Sequence, residues 1–214
     1  MEIPQEVMRK AEKRMEPFDT EGFVLGGGRQ DAEIMVVGEA PGELEAEKGE
    51  PFVGRAGNEL DKQLHYLGIE RDDMYITSVV RSRPYKWVKT NKKGSGGMRK
   101  ANRKPNAKEI FAHAPILDYQ IETINPSVII ALGGVAYQRL TGRQDKLSDV
   151  LGTPITTQLQ KLDEERGEYV ETEQSSVIFP LYHPAAVFYN PTIKSTIYEA
   201  LDELRGYLTA KALI

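Results

Sequence analysis

Glu33-Ile34-Met35-Val36-Val37-Gly38-Glu39-Ala40-Pro41-Gly42 is the stretch that decides the fold. Four apolar residues in a row read as a buried strand, and the Gly/Pro cluster ends it abruptly. In an open parallel α/β sheet, ligands bind at the loop leaving the carboxyl end of a strand. Glu39, Glu45 and Phe52 reach that loop from one short segment. Two carboxylates and an aromatic ring suit a small flat polar ring and a water molecule, and do not resemble a phosphate cradle.

Outward from this strand the chain alternates helix and strand. Pro4–Arg14 reads as a helix, Gly26-Gly27-Gly28 as a connector, and Ala56–Leu67 as a helix with Leu60, Leu64 and Leu67 on one face. Met74–Val80 is a second strand. A long helix starts at Pro105-Asn106-Ala107 and ends near Asn125-Pro126. Ser127–Leu132 is a third strand, followed by a helix through Leu140, and Ser176–Pro180 is a fourth. The polar stretch Thr153–Ser176 reads as a hairpin or an irregular excursion, and a helix closes the chain from Thr192. This alternation predicts a three-layer α/β/α fold around a central four-stranded parallel sheet, as one domain over residues 1–214.

The net charge of −4 conceals an asymmetry. Between Arg81 and Lys108 lie eleven of the 28 Lys/Arg and no Asp or Glu, which leaves seventeen basic against 32 acidic residues elsewhere. Such a segment suits contact with a polyanion, though a solvated loop kept soluble by its lysines is the alternative. It contains the low-complexity run Lys92–Gly97, so a flexible basic loop is expected at about 84–105. Cysteine is absent, which excludes disulfides and thiolate-ligated metal centres. No apolar run approaches a membrane span and the first residues lack a secretory pattern, so a cytoplasmic protein without a membrane partner is expected.

Of the three histidines, His183 alone leaves a strand into a Pro-fixed turn, Tyr182-His183-Pro184-Ala185-Ala186-Val187-Phe188-Tyr189. His65 follows Asp61 by four residues and His113 follows Glu109 by four, which reads as helix-surface pairing rather than metal ligation. On spacing alone His183 suits a structural role as well as a functional one, Glu39 could serve a helix cap, and Phe52 could fill the core.

Gly38-Glu39-Ala40-Pro41-Gly42, Pro51-Phe52-Val53-Gly54-Arg55-Ala56-Gly57, Arg83-Pro84 and His183-Pro184-Ala185-Ala186 occur in one order along the chain. This ordered set resembles the uracil-DNA glycosylase superfamily, and is most similar to its iron–sulfur family 4, from about Ile34 to the C-terminal helix. The resemblance implies a monofunctional DNA glycosylase that hydrolyses a flipped deaminated base, uracil first, from DNA. Phe52 would stack on the base and the backbone at Gly38, Ala40 and Gly42 would hold its edge, with Ser78 beside it. Glu39 or Glu45 would position water, and His183 would hydrogen-bond the carbonyl of the departing base. Arg81, Arg83, Lys92, Lys93, Arg99, Lys100 and Arg103 would meet phosphates, while Ala185, Phe188 and Tyr189 would enter the gap in the duplex.

The chain departs from the family pattern in three places. Ser82 and His113 stand where the family has two cluster cysteines, and the N-terminal pair is missing, so no metal or other cofactor is expected. Ser78 stands where the family usually has asparagine, which leaves the preferred base open. Tyr189 replaces a frequent arginine, and the segment holding Tyr85 and Trp87 looks longer than usual; Trp87 suits stacking on a base or anchoring the segment. A catalytically silent nucleic-acid-binding relative is the alternative, and a protein-interaction domain a third. The expected partner is DNA carrying a deaminated base, bound by a monomer.

Overall fold

The computed structural model describes residues 1–90 and 97–214. The expectations for Lys92, Lys93 and most of the low-complexity run therefore lie outside the described residues. The elements run α1 (Gln5–Met15), β1 (Thr20–Glu21), β2 (Gly27–Gly28), β3 (Ile34–Gly38), α2 (Glu43–Lys48), α3 (Arg55–Leu67), β4 (Met74–Ser78), β5 (Arg83–Lys89) and β6 (Met98–Asn102). They continue with α4 (Ala107–Ile124), β7 (Val128–Leu132), α5 (Gly134–Thr141), α6 (Leu147–Val150), β8 (Ile155–Asp163), β9 (Glu168–Leu181), α7 (Ala186–Tyr189) and α8 (Lys194–Ala210).

The main sheet has six strands in the order β2-β4-β3-β7-β9-β8, which corrects the four-strand expectation. The inner pairs β4–β3, β3–β7 and β7–β9 are parallel. The two additions are antiparallel edges that carry no continuous apolar signal. β2 is a Gly-Gly pair bonded to Tyr75 and Ile76, where the sequence reads as a connector. β8 is mostly polar, with Ile155, Leu159 and Leu162 as its apolar residues, and forms a hairpin with β9.

Strand β3 shows why the sheet is covered on both faces. Its side chains alternate, so Ile34 and Val36 join a core with Leu60, Leu64 and Leu204 from α3 and α8. Met35 and Val37 join a second core with Ala112, Leu117, Ala136 and Leu140 from α4 and α5. Asn106 starts α4 through a reciprocal capping box with Glu109, which satisfies backbone donors at the helix start.

The basic segment is not simply a loop. β5 and β6 pair antiparallel from Tyr85↔Asn102 to Lys89↔Met98, and β1 adds to β5, giving a separate three-stranded sheet. Among the described residues no helix is long and apolar enough to cross a membrane.

Candidate active site

A cavity of about 360 Å3 opens at the carboxyl ends of β3 and β4. Its walls include Ala40, Pro41, Gly42, Glu45, Phe52, Ser78, His183, Ala185, Phe188 and Tyr189. Residues from three distant parts of the sequence thus meet in one pocket, as expected of a strand-end site in an α/β sheet.

Glu45 is buried on the short helix α2, and its Oε1 accepts the backbone N–H of Gly54 at 2.9 Å. A Cβ at Gly42 would lie 2.6 Å from Glu45 Oε2, so a side chain there would displace the carboxylate. Phe52 is buried in the left-handed backbone region at φ 53°, a costly conformation for a residue with a Cβ. Arg71 braces this turn from outside: its guanidinium donates to Phe52 O at 2.6 Å and Pro51 O at 3.2 Å, while its Nε meets Asp61 at 2.5 Å. Gly38 completes the arrangement, because a Cβ there would come within 2.7 Å of the Phe52 ring.

His183 packs beside Phe52 with ring centroids 5.9 Å apart and planes inclined by 28°. Its Nδ1 accepts the backbone N–H of Ala185 at 3.2 Å, which assigns the proton of the neutral ring to Nε2. Burial lowers its pKa to about 4, against an opposing pull from Glu45. The imidazole is therefore neutral near pH 7 and is a hydrogen-bond donor rather than a cation.

Ser78 also faces the pocket, but its hydroxyl donates to Val80 O at 2.9 Å and leaves lone pairs for a ligand. Asn102 lines the cavity from β6 and is not evident from sequence, since it sits in a segment that reads only as basic. Arg83 Nε donates to its Oδ1 at 2.7 Å, so the amide presents its NH2 elsewhere. Arg55, part of the Pro51–Gly57 motif but given no role from sequence, is a second wall residue, with its guanidinium 4.4 Å from the Phe188 ring centroid.

Glu39 is not among the residues lining the cavity. Gly38 ends β3 against the Phe52 ring, and Glu39 follows it as a half-buried residue beyond the strand. There burial raises the Glu39 pKa while Lys104 lowers it.

The expected phosphate contacts divide sharply. Arg81 is corrected: it is 0% exposed and bonds Leu25 O, the Thr77 hydroxyl and Gln120 Oε1, and burial lowers its pKa to about 9. Arg83 is corrected too, being buried and bound by Glu21, Glu43 and Asn102. A buried guanidinium cannot reach a phosphate without unfolding its surroundings. Arg103 grips both oxygens of Glu109, and Lys100 pairs with Glu21. Arg99 is exposed. Tyr189 is 89% exposed at the pocket mouth and Phe188 lies beside it.

The fold and pocket together define an α/β protein with a cavity at its strand ends. The family model described as Uracil DNA glycosylase superfamily matches residues 25–205, and the chain belongs to that superfamily. It is 35% identical over 204 residues to a type-4 uracil-DNA glycosylase of Sulfurisphaera tokodaii, covering 95% of this chain and 82% of the relative. It is 37% identical over 190 residues to that of Archaeoglobus fulgidus, covering 88% and 83%. With that of Thermotoga maritima it shares 32% identity over 211 residues, covering 97% and 94%.

The residues present do not fit the iron–sulfur cluster that the family-4 resemblance implies. No cysteine exists to supply thiolates. His113 is wholly buried, which corrects its expected place on a helix surface, and its Nδ1 lone pair accepts the Arg81 N–H at 2.9 Å. Phe23 packs edge-on against it at 5.6 Å, and burial next to Arg81 lowers its pKa to about 3. At His113, one of the two positions where the resemblance places a ligand, a packed side chain stands instead.

Proposed function

We propose that the protein is a monofunctional DNA glycosylase, folded as one domain, that hydrolyses the N-glycosidic bond of a flipped deaminated base, uracil first. The observation that carries this reading is the convergence of Glu45, Phe52 and neutral His183 in one pocket. Homology to type-4 uracil-DNA glycosylases supports a glycosylase-like activity and DNA as the partner.

Breaking the bond between C1′ and the base nitrogen leaves an oxocarbenium-like sugar and an anionic base. Phe52 stacks on the base, which offsets part of the few kcal/mol that flipping costs. His183 donates its Nε2 proton in a hydrogen bond to the base carbonyl where negative charge grows. A neutral donor suits this task, because it stabilises the anion without first having to lose its own solvation as a cation. Glu45 holds the water that attacks C1′ and offsets positive charge on the sugar. Of the two carboxylates lining the pocket, Glu43 is exposed and paired with Arg83 while Glu45 is buried, so Glu45 takes this role in preference to Glu39. Phe188 and Tyr189 enter the space vacated in the duplex, next to Ala185. Arg99, Lys92 and Lys93 contribute phosphate contacts that position DNA without reading sequence.

The test is release of free base from a uracil-containing oligonucleotide, leaving an alkali-labile abasic site. No release from uracil, hypoxanthine or xanthine substrates at high enzyme would sink the reading and leave a nucleic-acid-binding relative.

A further inference from the structure

The β5–β6 hairpin has two unlike faces. Its register places Arg83, Tyr85, Trp87 and Lys89 on the same side as Asn102, Lys100 and Met98. Side-chain geometry bears this out: Lys100 Nζ lies 4.3 Å from the Tyr85 ring centroid and 5.7 Å from that of Trp87, and the two rings meet edge-on at 6.0 Å. One end of this face is Asn102, a wall of the pocket. The other end carries Trp87 and Met98, which are 54% and 42% exposed.

An anchoring tryptophan would be buried against the body. Trp87 instead stands out in solvent on a strand, supported from one side by a cation and a second ring. Lys89 is exposed on the same face, Lys86 and Arg99 are exposed on the opposite one, and the segment contains no acidic residue from Arg81 to Lys108. Exposed aromatic surface flanked on its own face by Lys89 and Lys100, and continuous with the pocket, matches the chemistry of unpaired nucleotides. Every base has a stackable face, and the backbone beside it is an anion.

We propose that this face is a track for single-stranded DNA flanking the flipped nucleotide, with Trp87 stacking on an unpaired base. Asn102 joins the track to the pocket, and Lys100, fixed by Glu21, keeps the Tyr85 and Trp87 rings apart and oriented. The exposed cations meet the phosphates on either side. The inference rests on the glycosylase reading only in taking DNA as the strand that occupies the pocket.

Trp87 is the single tryptophan of the chain, so its emission reports the contact directly. A short oligothymidylate, which contains no excisable base, should quench that emission saturably. A blunt duplex of the same length should quench far less. Trp87→Ala should weaken binding of labelled oligothymidylate about tenfold, the loss of one base–aromatic stack, and Trp87→Phe should retain most of the affinity. Unchanged emission at saturation, an alanine variant that binds as tightly as the parent, or equal quenching by duplex would each overturn the proposal. Uracil release is measured separately on the unaltered protein. Excision with a silent Trp87 would remove the track alone, whereas quenching without excision would keep the track and remove the glycosylase reading.

Discussion

Phe52 holds a backbone conformation that costs on the order of 1–3 kcal/mol for a residue with a Cβ. Such strain persists only where neighbours over-determine it, and Arg71 supplies two of the bonds that do so. Arg71→Ala should therefore let the Pro51–Phe52 turn relax and carry the ring out of register with the base. Turnover on a uracil substrate should fall by about tenfold or more while affinity for undamaged DNA is kept. In a Phe52→Ala background the same change should add almost nothing; a further full loss there would mean that Arg71 acts elsewhere. His183→Ala should cost about a hundredfold in turnover with little change in DNA affinity, the pattern of a donor that matters in the transition state. Loss of both in parallel would place His183 in DNA binding instead. Ser78 offers a ligand only lone pairs, because its proton is held by Val80 O. Ser78→Asn should supply both an amide donor and an acceptor to uracil, and so raise uracil excision relative to the parent. Unaltered excision would remove Ser78 from base selection.

At the scale of elements, β3 is legible in the sequence because four apolar residues and a Gly/Pro stop need no tertiary information to interpret. The same holds for β4, β7 and the inner part of β9, whereas Phe52, Ser78 and His183 stand out only through the ordered motifs that carry the family resemblance, since spacing alone leaves a core or structural role open. The edge strands are not legible. β2 is two glycines, and β8 is mostly polar with no regular apolar alternation, so each becomes a strand only because a neighbour offers unpaired backbone groups. Charge is the least transferable signal. Arg81 and Arg83 look like their exposed neighbours in sequence, and only the fold reveals that Gln120 and Glu21 claim them. This sorting alters what the basic hairpin should do. Neutralising Lys86, Lys89 and Arg99 together should weaken binding to all DNA sequences. It should also lower the magnitude of the log–log salt slope by about 0.7–0.9 for each phosphate that is no longer neutralised. Arg81→Met should leave that slope unchanged if the protein folds, and an equal loss from both changes would contradict the burial.

Over the whole molecule, a buried and a half-buried histidine couple stability to pH. His183 and His113 have pKa values near 4 and 3, against about 6.5 in an unfolded chain. Between those values the unfolded state binds more protons, so stability falls as pH drops through 6.5 and continues to fall until the folded pKa is reached. Glu39 and Asp118 act in the opposite sense, because burial raises both, with Lys104 and Arg139 pulling them back. The parent's slope is therefore a difference, and one substitution is needed to isolate the histidine part. His113 suits this, since it lies in the packed region away from the pocket, facing Arg81 and Phe23. His113→Gln keeps an acceptor for the Arg81 N–H but has nothing to protonate. At about pH 5 the unfavourable contribution it removes is on the order of 2 kcal/mol. Thermal melts should therefore show the variant gaining on the parent as pH falls from about 7 to about 5, where the parent's histidine is forced to stay neutral. Parallel melting curves across that range would mean that the site where cluster ligands would stand opens to water, and that packing does not replace their bracing.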